Sequence, residues 1–360
     1  MEKTRREFLK TAAIGAAVVS ASAGLTESGR AYQKKIMTID MHTHMEIPAA
    51  VDLLPEKPKP LSSPLSAKSA AHQEHLVEMI RDQLQNPERK IADMEKAGID
   101  MSIISIAPPQ LFYNLEGELA INVSRKQNEE IAAMVQKYSK KFAGMATVPM
   151  QNPGAAVKEL ERAIVELKLK GVEIGSNVRR RYLGDPSFLP FFERAAALDV
   201  PIFIHPIDTA GSDRMGDYYF PNVIGNPLDT TITAGHLVFS GIFDRFPGLK
   251  IVLAHAGGFV PYNIDRWDHG FRVRPECQEF IKRPPTTYLK YFYYDTISHG
   301  PETLRFLIWR AGADRVVMGT DHPYDMGDLD PLKSLRVTRL QARTWEKIVS
   351  TNIMALYKIA

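Results

Sequence analysis

Residues 38–44 read TIDMHTH and set His42 and His44 two positions apart behind an apolar run, in a chain with only ten histidines. On an extended strand, side chains at i and i+2 point the same way, so the two imidazoles can aim at one point. Neutral imidazole is a metal ligand, and zinc takes nitrogen donors at about 2.0–2.1 Å. Three more side chains of suitable chemistry end similar runs: His205 in VPIFIHP, His255 in KIVLAHAG and Asp321 in RVVMGTD. Together the five could hold a divalent ion and move protons beside it. Spacing alone does not say which of His205 and His255 would be a ligand and which would carry a proton.

Bringing five such groups together needs a scaffold that ends several strands at one rim. Eight β-rich runs are present: 35–40, 100–107, 142–150, 171–176, 200–206, 250–257, 291–297 and 315–321. Several are continuous apolar stretches, as expected of parallel strands buried on both faces. Amphipathic segments separate them at 89–98, 128–141, 155–171, 189–199, 230–248, 301–312 and 331–357. Eight alternations predict an α/β fold of the (β/α)₈ TIM-barrel type. His42 and His44 then follow the first strand, His205 the fifth, His255 the sixth and Asp321 the eighth. Residues 45–75 and 207–229 interrupt the alternation after the first and fifth strands and read as lid-like insertions at the C-terminal mouth. His322 and His299 lie beside this rim. His72, His75, His236 and His269 fall on helices or loops and read as structural or exposed.

The N-terminus reads as an address. Arg5 and Arg6 precede Phe8, Leu9 and Lys10, a weakly apolar stretch runs from Thr11 to Ala23, and Ala21-Ser22-Ala23 offers a small-residue cleavage site. This is the pattern of a twin-arginine export signal. Residues 1–23 are expected to engage the twin-arginine export machinery and to be removed, leaving one barrel domain, 24–360, outside the cytoplasm or in the periplasm. The signal is too short and too rich in small residues for a stable membrane anchor. The formal charge of +3 falls to +1 without it, which gives no electrostatic case for nucleic acid. Cys277 is the only cysteine, so an internal disulfide and a thiolate metal cluster are both excluded.

The motifs DMHTH, FIHP, LAHAGG and GTDHPY resemble the amidohydrolase superfamily, in the branch typified by aminocarboxymuconate-semialdehyde decarboxylase. The likeness extends over PERKIADMEKAGID (87–100) and over 226–258. It implies that His42, His44, His205 and Asp321 hold one divalent metal, usually zinc with manganese as the alternative. It also implies that His255 stands beside the water, with His255 and Asp321 the catalytic pair. The implied reaction is decarboxylation of a small unsaturated or aromatic carboxylic acid. The same parts would hydrolyse a lactone, amide or ester. Two departures from the pattern stand out. The fourth strand carries Glu173 where binuclear relatives have a bridging lysine, which favours one metal. Lys90 stands where the resemblance places a substrate-carboxylate arginine, with Arg89 one place earlier; lysine keeps the charge and loses the bidentate fork. Arg266 corresponds to an arginine that reaches the neighbouring subunit's pocket, which implies a homodimer and a second contact to a carboxylate substrate.

Overall fold

The computed structural model describes residues 36–56 and 67–360. The export signal expected over 1–23 and part of the first insertion (57–66) lie outside the described residues. Residues Met37–Ala360 form one compact unit. Among the described residues, no helix is long and apolar enough to cross a membrane.

Eight strands make a single parallel sheet in sequence order. They are β1 (Ile39–Met45), β2 (Met101–Ile106), β3 (Phe142–Thr147), β4 (Gly171–Gly175), β5 (Pro201–His205), β6 (Lys250–Leu253), β7 (Phe292–Asp295) and β8 (Val316–Val317). β1 to β5 are buried along their whole length, as strands packed between a barrel interior and an outer helical layer must be. The sheet closes where the chain beyond β8 returns to β1: the Met41 amide donates to the Met318 carbonyl at 2.9 Å and the His44 amide to the His322 carbonyl at 3.0 Å. The expected (β/α)₈ TIM barrel is the observed fold.

Helices fill the crossovers: α1 (Ala67–Gln85), α2 (Pro87–Ala97), α3 (Gly117–Lys137), α4 (Pro153–Val165), α5 (Leu189–Ala197), α6 (Asn226–Phe239), α7 (Val260–Val273) and α8 (Pro301–Ala311). Local chemistry sets their ends. Asn86 accepts from the amides of Glu88 and Arg89 at the start of α2, Pro87 sits in its first turn, and Gly98 ends it at φ +75°, the left-handed conformation that glycine adopts without a Cβ penalty.

Several elements differ from the sequence reading, α7 among them, since no helix was expected over 260–273. The first strand runs to Met45, so His42 and His44 lie within it. A register shift between Asp40 and Thr43 gives β1 an extra residue opposite β2, a bulge of the kind that re-aims side chains beside active sites. The segment expected as one helix over 331–357 is broken once, into Pro331–Val337 and a continuous run that passes from Ala342–Glu346 through a π-helical stretch, Lys347–Thr351, to Asn352–Tyr357. Helix α1 begins inside the first insertion, at Ala67, and runs on to Gln85, past the expected end of the insertion. Its Leu76, Ile80 and Leu84, four residues apart, form one apolar stripe packed on Ala107 and Tyr324, the segments that follow β2 and β8. The part of α1 that covers the mouth thus lies just beyond the 45–75 segment expected as a lid.

Candidate metal centre and proton-transfer site

The closed barrel brings His42, His44, His205, His255 and Asp321 to one place, as the sequence anticipated. Ligand atoms of His42, His205, His255 and Asp321 all lie within 4.8 Å of one another. His44 Nε2 is 3.0 Å from His42 Nε2 and 3.1 Å from Asp321 Oδ1. Asp321 Oδ1 is also 3.3 Å from His42 Nε2 and 4.0 Å from His205 Nε2, and Asp321 Oδ2 is 3.3 Å from His255 Nε2.

The outer nitrogens show what the inner ones offer. His42 Nδ1 is 2.8 Å from Asp295 Oδ2, His44 Nδ1 is 3.1 Å from the Ile106 carbonyl oxygen and His205 Nδ1 is 3.1 Å from the Pro206 carbonyl oxygen. Each of those partners only accepts, so each Nδ1 carries a proton and each Nε2 of a neutral ring presents a lone pair. Two facing lone pairs 3.0 Å apart, on His42 and His44, require a cation between or beside them. In its absence a proton takes that place: burial disfavours the charge, but Asp321 and Asp295 outweigh it and push His42 up to about 10. A proton there, shared with Asp321 Oδ1, still leaves His205 Nε2 buried without a hydrogen-bond partner. A divalent ion would satisfy all four atoms at once, so the donor set fits a metal.

His255 is built differently. Its Nδ1 is buried and has no hydrogen-bond partner, while its Nε2 meets the acceptor Asp321 Oδ2 at 3.3 Å, so its proton lies on the inner nitrogen and not, as in the three neighbours, on the outer one. Both His255 and Asp321 adopt left-handed backbone, at φ +55° and +58°, a conformation that persists in non-glycine residues only where the surroundings hold it. Asp295 is the holding group that sequence reasoning did not single out. Buried at the end of β7, it accepts from the amides of His255 (2.8 Å), Ala256 (2.7 Å) and Ile297 (3.0 Å) as well as from His42. Burial opposes its ionisation, but the His42 hydrogen bond, the two nearby imidazoles and the Ala256 amide keep its carboxyl below the usual range. The signal was present in YFYYDTI, an acidic residue ending a strand as Asp321 does. Gly319 makes the approach possible: a Cβ there would stand 2.8 Å from His42 Cβ and 3.1 Å from Asp295 Cβ.

Other expected residues are placed elsewhere. Glu173 lies deep in the barrel, with Oε1 4.0 Å from His44 Nδ1 and neither oxygen hydrogen-bonded; burial pushes its carboxyl up to about 8. Lys90, expected to meet a substrate carboxylate, does not reach the imidazole cluster. Its Nζ donates to Thr43 Oγ1 at 3.0 Å, and Thr43, between His42 and His44, points to the opposite, helix-facing side of β1. The alternation of β1 therefore turns Lys90's partner away from the mouth. Arg266 is exposed on α7. His322 pairs with Lys90 and Asp93, and His299 is exposed. His236 stacks on Tyr182, while His72, His75 and His269 are exposed.

A barrel of parallel strands whose C-terminal ends carry an HxH pair, two further histidines and an aspartate defines a metal-dependent amidohydrolase scaffold. The family model for amidohydrolases matches residues 39–359, and the chain belongs to that family. Among curated relatives, it is 36% identical over 247 residues to 2-amino-3-carboxymuconate-6-semialdehyde decarboxylase of Dictyostelium discoideum, covering 68% of this chain and 69% of that one. It is 32% identical over 251 residues to gamma-resorcylate decarboxylase of a Polaromonas species, covering 66% and 77%. Among solved structures, a dihydroxybenzoic acid decarboxylase from Polaromonas, with bound manganese and the inhibitor 2-nitroresorcinol, superposes with a TM-score of 0.78 at 27% identity. That match covers 90% of this chain and 97% of the other. The chain is thus an amidohydrolase-family protein of the decarboxylase branch.

Proposed function

We propose that this protein is a metal-dependent carboxy-lyase that removes carbon dioxide from a small aromatic or unsaturated carboxylic acid. His42, His44, His205 and Asp321 would hold the ion; three imidazoles and one carboxylate suit zinc, whereas the Polaromonas relative holds manganese. When bound, a divalent ion supplies Lewis acidity beside the reacting carbon.

The protein's own groups supply the proton. Carboxylate loss breaks a carbon–carbon bond, releases carbon dioxide and requires one proton at the carbon left behind. His255 delivers that proton from Nε2. Asp321 Oδ2, 3.3 Å away, accepts from Nε2 and orients the ring. The inward-facing N–H of His255, beside three neighbours whose inner nitrogens present lone pairs, is the observation that carries this assignment. Tyr324, half-buried with its ring 5.5 Å from that of His44, and the apolar stripe of α1 against it line the mouth with apolar surface, which suits an aromatic or unsaturated substrate.

Arg266 is exposed on α7, as required of a homodimer in which it would reach the partner's substrate carboxylate. Export through the twin-arginine route rests on Arg5, Arg6 and the small-residue stretch after them. The deciding experiment is a screen of hydroxybenzoates and unsaturated dicarboxylates for carbon dioxide release by the zinc- and manganese-loaded protein, with lactones, amides and esters in parallel. Release of carbon dioxide from a hydroxybenzoate or an unsaturated acid is expected. Turnover of lactones, amides or esters alone would replace the lyase by a hydrolase.

A further inference from the structure

Among the described residues, Lys90 is the only lysine that is completely buried, a state lysine almost never adopts without partners. Its Nζ donates to Thr43 Oγ1 at 3.0 Å and to His322 Nδ1 at 2.9 Å. An ammonium has donors only, so His322 Nδ1 accepts and its Nε2 carries a proton toward Asp93 Oδ2 at 3.3 Å. The Thr43 hydroxyl in turn donates to the His322 carbonyl at 3.2 Å, and the His44 amide donates to the same carbonyl at 3.0 Å. Both partners of the ammonium are thus next in sequence to proposed ligands: Thr43 lies between His42 and His44, and His322 follows Asp321. The other flank of Asp321 is tied too, since Thr320 donates to Asp40 through its amide at 3.0 Å and its hydroxyl at 2.7 Å. Asp321, at φ +58°, sits between these two anchors.

We propose that Lys90 is a positioning residue of the metal centre: its ammonium ties the strand bearing His42 and His44 to the loop bearing Asp321 and sets the spacing of their ligand atoms. It acts through Thr43 and His322 and makes no contact with substrate. This inference rests on the metal-centre reading above. Groups that orient metal ligands typically change metal affinity by about 10–100-fold when removed, and that is the effect expected here.

The test is zinc affinity, measured by competition with a chromophoric chelator on the metal-free full chain, for wild type, Lys90→Met, Thr43→Val and Thr43→Ser. Lys90→Met and Thr43→Val should each weaken zinc binding by about 10–100-fold. Thr43→Ser, which keeps the hydroxyl, should bind as wild type does. Melting temperatures of the metal-free Thr43 variants should stay together, which separates ligand positioning from general destabilisation. Wild-type zinc affinity in Lys90→Met, or equal affinities for Thr43→Val and Thr43→Ser, would overturn the proposal. Should Lys90→Met fail to fold, the two Thr43 variants decide alone. A wild-type chain that binds neither zinc nor manganese would instead remove the metal-centre reading itself.

Discussion

Replacing Asp295 with asparagine tests the electrostatic logic of the site most directly. The carboxylate takes four donors: Ala256 and Ile297 amides on Oδ1, and the His255 amide and His42 Nδ1 on Oδ2. An amide keeps one oxygen. Oriented to serve Ala256 and Ile297, it turns its NH₂ toward the His255 amide and His42 Nδ1, two donors facing a donor. Each buried donor left unpaired costs about 1–3 kcal/mol, so the metal-free variant should lose on the order of 2–5 kcal/mol. His42 can relieve its share by moving its proton to Nε2 and accepting from the amide. That proton would then occupy the nitrogen that faces His44 and Asp321, and the centre would lose a ligand. Zinc affinity should consequently fall by at least about 10–100-fold. Gly319, packed against both His42 and Asp295, leaves little room for the ring to swing elsewhere. Thermal melts of the metal-free protein and chelator competition give the two numbers. An Asp295→Asn variant with wild-type zinc affinity would refute the claim that this carboxylate sets the His42 tautomer.

His255→Asn should retain stoichiometric metal and lose about 10²–10⁴ in kcat, whereas His205→Asn should come out metal-free; the opposite pattern in metal analysis would exchange the two roles. The dialysed protein should carry one equivalent of divalent metal per chain, and two retained equivalents would bring the buried, unpaired Glu173 into the ligand set. Burial pushes the Lys90 ammonium down from 10.5 to about 7, so unfolding takes up a proton between those pH values. Stability should therefore rise with pH across that window, by at most about 1.4 kcal/mol per pH unit; a pH-independent difference between wild type and Lys90→Met in urea unfolding would contradict it. Changing Arg5 and Arg6 to lysine should leave folded, metal-loaded protein in the cytoplasm, and cell fractionation showing undiminished export would exclude the twin-arginine route.

The residues that end strands were readable because their signal is local. Apolar runs of strand length alternate with amphipathic segments, and a histidine or aspartate at the end of such a run lands on the barrel rim wherever the barrel closes. The same logic places His42, His44, His205, His255 and Asp321 together from the sequence alone. It understated β1, because a strand that carries two histidines and a bulge looks polar and irregular where the apolar run stops. It missed α7, whose sequence VPYNIDRWDHGFRV buries only Val260, Pro261 and Ile264 and so carries a thin apolar face. The helix in the first insertion was hidden by its Pro- and Ser-rich approach.

What the sequence determined by itself was the chemistry on offer: imidazoles and a carboxylate in the right number, no thiolate cluster, and a repeat that closes into a barrel. Which nitrogen of each ring faces inward was decided by acceptors from distant segments, Asp295 on β7 for His42 and the Ile106 carbonyl of β2 for His44. The fate of Lys90 was decided the same way. Its place in PERKIADM suggested a contact with substrate, but β1 alternates its side chains, and only the packing of α2 against that strand showed that the ammonium meets Thr43 on the face turned away from the ligands. Charge and residue type are local properties of a chain; the partner that gives a buried charge its role is supplied by whatever the fold packs against it.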